Sequence, residues 1–409
     1  TFTKTETAPI SGVTLDQTSH FLNPGGSTVV TATYGVGNAG SGQLTLVARG
    51  SSPQHATDVG AYTITATVPP GAPRVDAFPY NVAEQDYKRC ARACFAAMTS
   101  NSTVPYFALD APRQVTLIYN GDRVNPRPFV LINVSPDLTY GSWPTKYQLQ
   151  VKVNGALVTF VNGEQTLNFA YTGTAPVRIG GQFDASSYGT NVYPMDILVT
   201  AVFSGGSVTN DFVTNLAVVN QTTAPVARGW AVGSVQRLYR QGDGTALVVE
   251  GDGSAEYFAN VSGSFVSPAG EFSALIPSTL SGSSGWARLY PDSTKVVFNS
   301  VGLMTRVLDR FGNRDSVVYD ASNRVSTIMD PLNLAINLSY DANGLTSIQD
   351  ASGRVTGIVV DGSRRLTTIT DPDNVSANFG YDASLRLSTI TDRRGNTTSL
   401  SYDPQAGTL

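Results

Sequence analysis

The sequence predicts an all-β protein, a β-sandwich followed by a sheet of tandem β-hairpins, and three observations carry that expectation. The 409 residues are 41% hydrophobic and only 14% charged, with 39 Gly and 22 Pro, the composition of many strands joined by turns. Apolar and polar residues alternate along short runs, as half-buried strands require. The last quarter of the chain repeats with a period near 21 residues, and a fixed period of that size signals a repeat architecture. A chain this long exceeds one ordinary core and divides into several units.

Residues 1–78 read as a small immunoglobulin-like β module or arm, with strands at 28–34, 43–47 and 62–68 and a Val68-Pro69-Pro70-Gly71 linker. Gly35-Val36-Gly37-Asn38-Ala39-Gly40 imitates a dinucleotide fingerprint, but a strand follows where pyrophosphate would need a helix N-terminus. A glycine-rich hairpin loop is the reading.

Residues 79–225 read as a β-sandwich. Tyr147, Leu149, Val151 and Val153 alternate with Gln148, Gln150 and Lys152; Asn154-Gly155 then predicts a type I′ turn returning through 156–161. Further strands are expected at 114–119, 129–134, 166–171, 197–203 and 212–219. One helix-like stretch, 83–98, holds Cys90 and Cys94 on one face. A local disulfide is the first expectation there, buried free thiols the second and a metal the third. Two thiols alone do not close a four-ligand zinc site, and neither His20 nor His55 lies near in sequence.

Residues 226–300 alternate turn signals with short apolar runs, as in Gly242-Asp243-Gly244, Gly251-Asp252-Gly253 and Pro291-Asp292-Ser293. They read as a degenerate lead-in, the first layer of the repeat sheet, with Trp230 and Trp286 as core anchors.

Residues 301–409 carry two interleaved registers. One is Tyr-Asp, at Tyr319-Asp320, Tyr340-Asp341, Tyr381-Asp382 and Tyr402-Asp403, with Val360-Asp361 in the remaining place. The other puts an aliphatic residue two before an Asp, ending at Asp309, Asp330, Asp350, Asp371 and Asp392. Three residues after each of these stands Gly312, Asn333, Gly353, Asn374 or Gly395, the residue types that tolerate positive φ, so a turn is predicted at each. Each unit reads as a hairpin that gains stability by pairing edge to edge with the next.

On these residues, together with Arg324-Val325, Arg365-Leu366 and Arg386-Leu387, the chain resembles the bacterial Rhs or YD-repeat proteins, whose animal relatives include teneurins. Two positions depart from the pattern: Val360 replaces Tyr, and Gly344 stands where Arg is expected. The resemblance implies a partial shell or spiral, capped by a plug-like end of the sandwich, that encloses a C-terminal effector lying beyond Leu409. It also implies an extracellular or cell-surface location.

The chemistry that composition and motifs exclude narrows the function. A net charge of −4 offers no basic field for nucleic acid or anionic lipid, and no apolar run reaches the length of a membrane span. His20 and His55 lack a neighbouring nucleophile motif. The repeat aspartates recur at the structural period, so turn capping explains them without catalysis, and calcium at Asp371-Pro372-Asp373-Asn374 lacks full loop spacing. The tyrosines read as a ladder of stacked rings rather than a sugar-binding face. The expected function is a non-enzymatic scaffold with no catalytic residue, cofactor or metal, partnered by an effector or by copies of itself. A self-assembling fibre or adhesive subunit using strand addition is the alternative, and a carbohydrate hydrolase the remote one.

Overall fold

The computed structural model describes residues 1–7, 10–19, 29–36, 40–49, 57–66, 74–76, 98–108, 111–135, 143–173, 175–279 and 284–402. The fold is all-β, and the one helical element among the described residues is a single 3-10 turn, Gly121–Arg123. Cys90, Cys94, His20, His55, Asp403, the linker at 68–71 and residues 83–97 lie outside the described residues; Met98 opens a strand.

At the N-terminus, Phe2–Glu6, Gly40–Arg49 and Thr57–Ala66 form one antiparallel sheet, and Ile10–Leu15 pairs with Ala32–Val36. Val13 and Leu44 make a small core there. The strand expected from 28 starts at Ala32.

The sandwich has two sheets. Lys146–Val153, Asn191–Phe203 and Gly206–Val218 form the longer, with Ala156–Leu157 and Leu167–Ala170 on Lys146–Val153; Arg74–Asp76, Phe129–Ser135 and Val177–Gln182 form the other. Tyr147, Leu149, Val151 and Val153 are all fully buried between them, the alternation the sequence displays. Asn154 and Gly155 both have positive φ, 55° and 78°, as a type I′ turn demands. The returning strand is only two residues long. Arg74–Asp76, which the sequence places in the N-terminal module, belongs to this sandwich.

The strand expected at 114–119 is not part of the sandwich. Thr116–Asn120 lies between Met98–Ser102 and Trp230–Val232 in a separate three-stranded sheet, because its alternate residues Leu117 and Tyr119 join the core of the repeat region. The lead-in also divides. Arg237–Arg240, Ala246–Val249, Ala255–Val261 and Ser264–Val266 form their own sheet. Ala274–Ser278, Gly285–Leu289 and Lys295–Phe298 instead begin a thirteen-stranded antiparallel sheet that runs in sequence order to Thr397–Ser399. One hydrophobic cluster extends from Tyr106 and Trp230 through Phe298 to Leu387, so one face of the long sheet is packed against the three-stranded sheet.

Candidate functional site

The site is the contact between the repeat sheet and the residues that line it. Its construction starts at the turns. The Asp361 carbonyl accepts from the Arg364 N–H (2.8 Å), and the Asp361 N–H donates to the Arg365 carbonyl (2.9 Å). Oδ1 of Asp361 accepts from the N–H groups of Ser363 and Arg365, and Oδ2 from Arg365 Nε at 2.7 Å. The same two backbone donors, two and four residues on, reach Oδ1 of Asp309, Asp320, Asp330, Asp350 and Asp392. A carboxylate in that position satisfies the amides that a tight turn leaves without ladder partners.

The residue three after Asp adopts the left-handed region: Gly312, Asn333, Gly353, Asn374 and Gly395 have φ between 60° and 87°. In the Tyr-Asp register the same place is held by Asn323, Arg364 and Leu385, near 60°. Arg364 and Leu385 carry side chains into a conformation that costs L-residues about 1–2 kcal/mol. Their residue types gave no sign of it.

Each hairpin of the Tyr-Asp register among the described residues contains a register shift, as between Val318 and Tyr319 or Gly380 and Tyr381. A bulge leaves backbone groups outside the ladder, and the tyrosines take up one of them. Tyr319, Tyr381 and Tyr402 donate through Oη to the carbonyls of Met304, Leu366 and Leu387, each 15 residues earlier, at 2.6–2.8 Å. The ring faces are met by guanidinium groups, Arg324 over Tyr340 (4.7 Å), Arg365 over Tyr381 (5.9 Å) and Arg386 over Tyr402 (4.0 Å). The expected ladder of stacked rings is therefore replaced by alternating arginine and tyrosine, which suits rings two strands apart. Burial pushes the tyrosine hydroxyls upward, that of Tyr402 to about 12.

The inner residues attach at both rims of the sheet. Tyr119 Oη accepts from the bulge N–H of Leu387 (3.1 Å), and the Val226 carbonyl accepts from Leu345 N–H (2.9 Å). Trp230, fully buried, donates through Nε1 to Tyr381 Oη (2.9 Å) and packs edge-on to Phe379 at 4.9 Å. Arg364 donates to the Ala224 carbonyl (2.8 Å), and its own carbonyl accepts from Arg228 N–H (2.7 Å). Along the opposite rim, Arg393 reaches Asn101 and Ser102, Arg354 reaches the Pro105 carbonyl, Tyr106 meets Asp330, and Arg113 meets Asp315. Residues 101–108 and 111–113 thus lie along successive turns of the sheet.

Both departures from the repeat pattern fall where this lining enters. A Cβ on Gly344 would sit 2.3 Å from the Val226 carbonyl oxygen and 3.2 Å from Val360, so no side chain fits at 344. The turn at Asp341 is also one residue shorter, its N–H bonding the Gly344 carbonyl rather than one residue further. Trp286, the second expected anchor, is only half-buried, against Phe265 (5.2 Å) and Arg240 (4.4 Å). Arg288, two residues on in the same strand, is the buried group, held by Glu250, Glu271 and Ser273.

Hydrogen bonding holds several turn carboxyls below their ordinary range. The leading cause is the Asn313 amide at Asp309, the Asn396 amide at Asp392 and the Gly344 N–H at Asp341. At Asp320 and Asp361 burial is the largest single influence and acts upward, but the combined bonds from Arg324 and Ser322, or Arg365 and Ser363, outweigh it. Among the described residues no group of three His, Cys, Asp or Glu side chains could hold a metal ion, and no helix is long and apolar enough to cross a membrane. Neither a family model nor a curated protein matches the chain.

The sequence pointed to the tyrosines and aspartates of the repeat sheet but not to Tyr119, Val226, Arg354, Arg364 or Arg393. The usable signal was deviation within the repeat: Arg354 stands where Asn313, Leu334, Val375 and Asn396 occupy the equivalent turn position.

Proposed function

We propose that this chain is a non-enzymatic scaffold of the YD-repeat type, exported from the cell, whose long sheet is the wall of a shell that encloses or presents an effector. The observation that carries this reading is a thirteen-stranded sheet with one face packed on a lining from its own N-terminal side. A wall of this kind needs regular strands, capped turns and a closed end, and the repeat residues supply the first two. The lining serves as the closed end, because the Val226 carbonyl and the Tyr119 hydroxyl take up the amides of Leu345 and Leu387 at two of the bulges. The carboxylates that a hydrolase would need are engaged in turn bonds at Asp309, Asp320, Asp350, Asp361 and Asp392.

Protease challenge of the full-length protein from its natural source tests this. A fragment C-terminal to the repeats should survive trypsin under native conditions and be cut once guanidinium unfolds the sheet. Complete digestion of everything beyond the repeats, with the repeats themselves intact, would overturn it. The fibre reading draws on one further observation: the last described strand, Thr397–Ser399, is exposed along its length and pairs with Leu387–Thr391 on one side. It predicts filaments in electron micrographs, and uniformly single particles would dismiss it.

A further inference from the structure

The outward face of the sheet from Thr327 onward carries no charge. The inward residues of these strands, such as Leu345, Ile358, Leu366 and Phe379, are buried in the core, so the alternate residues point the other way. Cross-strand registry sets them in rows. Asn337 stands between Thr327 and Gln349, and Thr368 lies beside Asn378, which lies beside Thr391. Every outward position in the eight strands from Val325–Met329 to Thr397–Ser399 is Ser, Thr, Asn, Gln, Gly, Ala, Val or Met. About a quarter of the residues of an ordinary globular protein are charged, and a solvated antiparallel face is where they collect. Here the arginines and aspartates are confined to the turns. The contrast begins within the same sheet, since Arg306 and Arg314 precede this region.

The face is also partly apolar. Val355 is 47% and Val359 53% exposed. Thr368 Oγ1 donates to Asn378 Oδ1 (3.1 Å), and the Thr391 and Thr397 hydroxyls bond each other at 2.9 Å, so part of the polar capacity is spent within the face.

We propose that this uncharged face is an interface between two copies of the chain, packed sheet on sheet. Charge selects the occupant. Each chain carries a net −4, and an uncharged face lets two copies meet without like charges opposed. Size agrees: eight strands spaced about 4.8 Å apart and about 17 Å long present roughly 650 Å², so a pair of faces buries roughly 1,300 Å², within the range of specific interfaces. A face that repeats one pattern along its length is suited to meeting itself about a two-fold axis. This inference rests on strand pairing and residue type alone, independent of the shell reading.

Sedimentation of the full chain over a concentration series tests it. The expected result is a reversible dimer whose affinity changes little between low and high salt, because no ion pairs hold it. Thr368→Lys with Asn378→Lys should weaken association by at least about tenfold while the circular dichroism spectrum remains that of the folded β protein. Ser347→Lys, elsewhere on the face, should act the same way if the first pair impairs folding. Val213→Lys, on an exposed position of the sandwich strand Gly206–Val218 and away from this face, should leave the dimer intact. A monomer at all concentrations, a dimer indifferent to the lysines on the face, or one abolished equally by Val213→Lys would each overturn the proposal. Retention of a monomer on a neutral polysaccharide would overturn it too.

Discussion

At the scale of single residues, the repeat aspartate does most of the work because one carboxylate serves three donors. In Asp361→Ala the N–H groups of Ser363 and Arg365 and the Arg365 side chain all lose their acceptor. By analogy with helix caps, that variant should lose about 1–2 kcal/mol in urea unfolding. An unchanged midpoint would mean that water replaces the carboxylate without cost. Two glycines separate conformational need from close approach. Gly312 has φ +87° with open space around it, so Gly312→Ala should cost about 1 kcal/mol of backbone strain. Gly344→Ala drives a methyl group into the Val226 carbonyl and should cost about 2–3 kcal/mol. The reverse order in thermal melts would show that the lining does not press on Gly344.

At the scale of the hairpin, the turn geometry asks for a left-handed residue that the Tyr-Asp register does not always supply. Leu385, at φ 62°, is the clearest mismatch. Leu385→Asn should stabilise the protein by about 0.5–1 kcal/mol, measured as a raised urea midpoint. A lowered midpoint would show that the leucine side chain contributes more by packing than its backbone loses. The hairpins were legible in the sequence because strand, turn and period agree at Asp309, Asp330 and Asp350. The Leu385 strain was not legible, since pairing of the flanking strands overrides local preference. The membership of 114–119 was hidden for a related reason. Alternation at Leu117 and Tyr119 announces a half-buried strand, but not which of two cores receives it. Only the chain's return at Trp230 decides that.

At the scale of the molecule, the many depressed carboxyls tie stability to pH. A carboxyl whose pKa falls on folding stabilises the native state above its unfolded value and loses that contribution as pH drops through its folded value. Asp309, Asp320, Asp341, Asp361 and Asp392 all shift downward, whereas Asp122 and Asp315 shift upward through burial and act in the opposite sense. The urea midpoint should therefore stay level from pH 7 to about 5 and fall below about pH 4. A midpoint rising in acid would contradict the turn assignment. The repeat sheet was readable from its period; the segments packed against it were not, because the contacts join residues some 120 to 290 positions apart and use backbone carbonyls that any residue possesses.

Hydrogen exchange of the full chain, followed by mass spectrometry, tests that lining most directly. If Thr116–Asn120 and Trp230–Val232 cover the inner face, their amides should exchange as slowly as those of Leu345–Gln349 and Leu387–Thr391, and Gly344→Ala should loosen all four together. Rapid exchange in the first two segments while the repeat strands stay protected would contradict it.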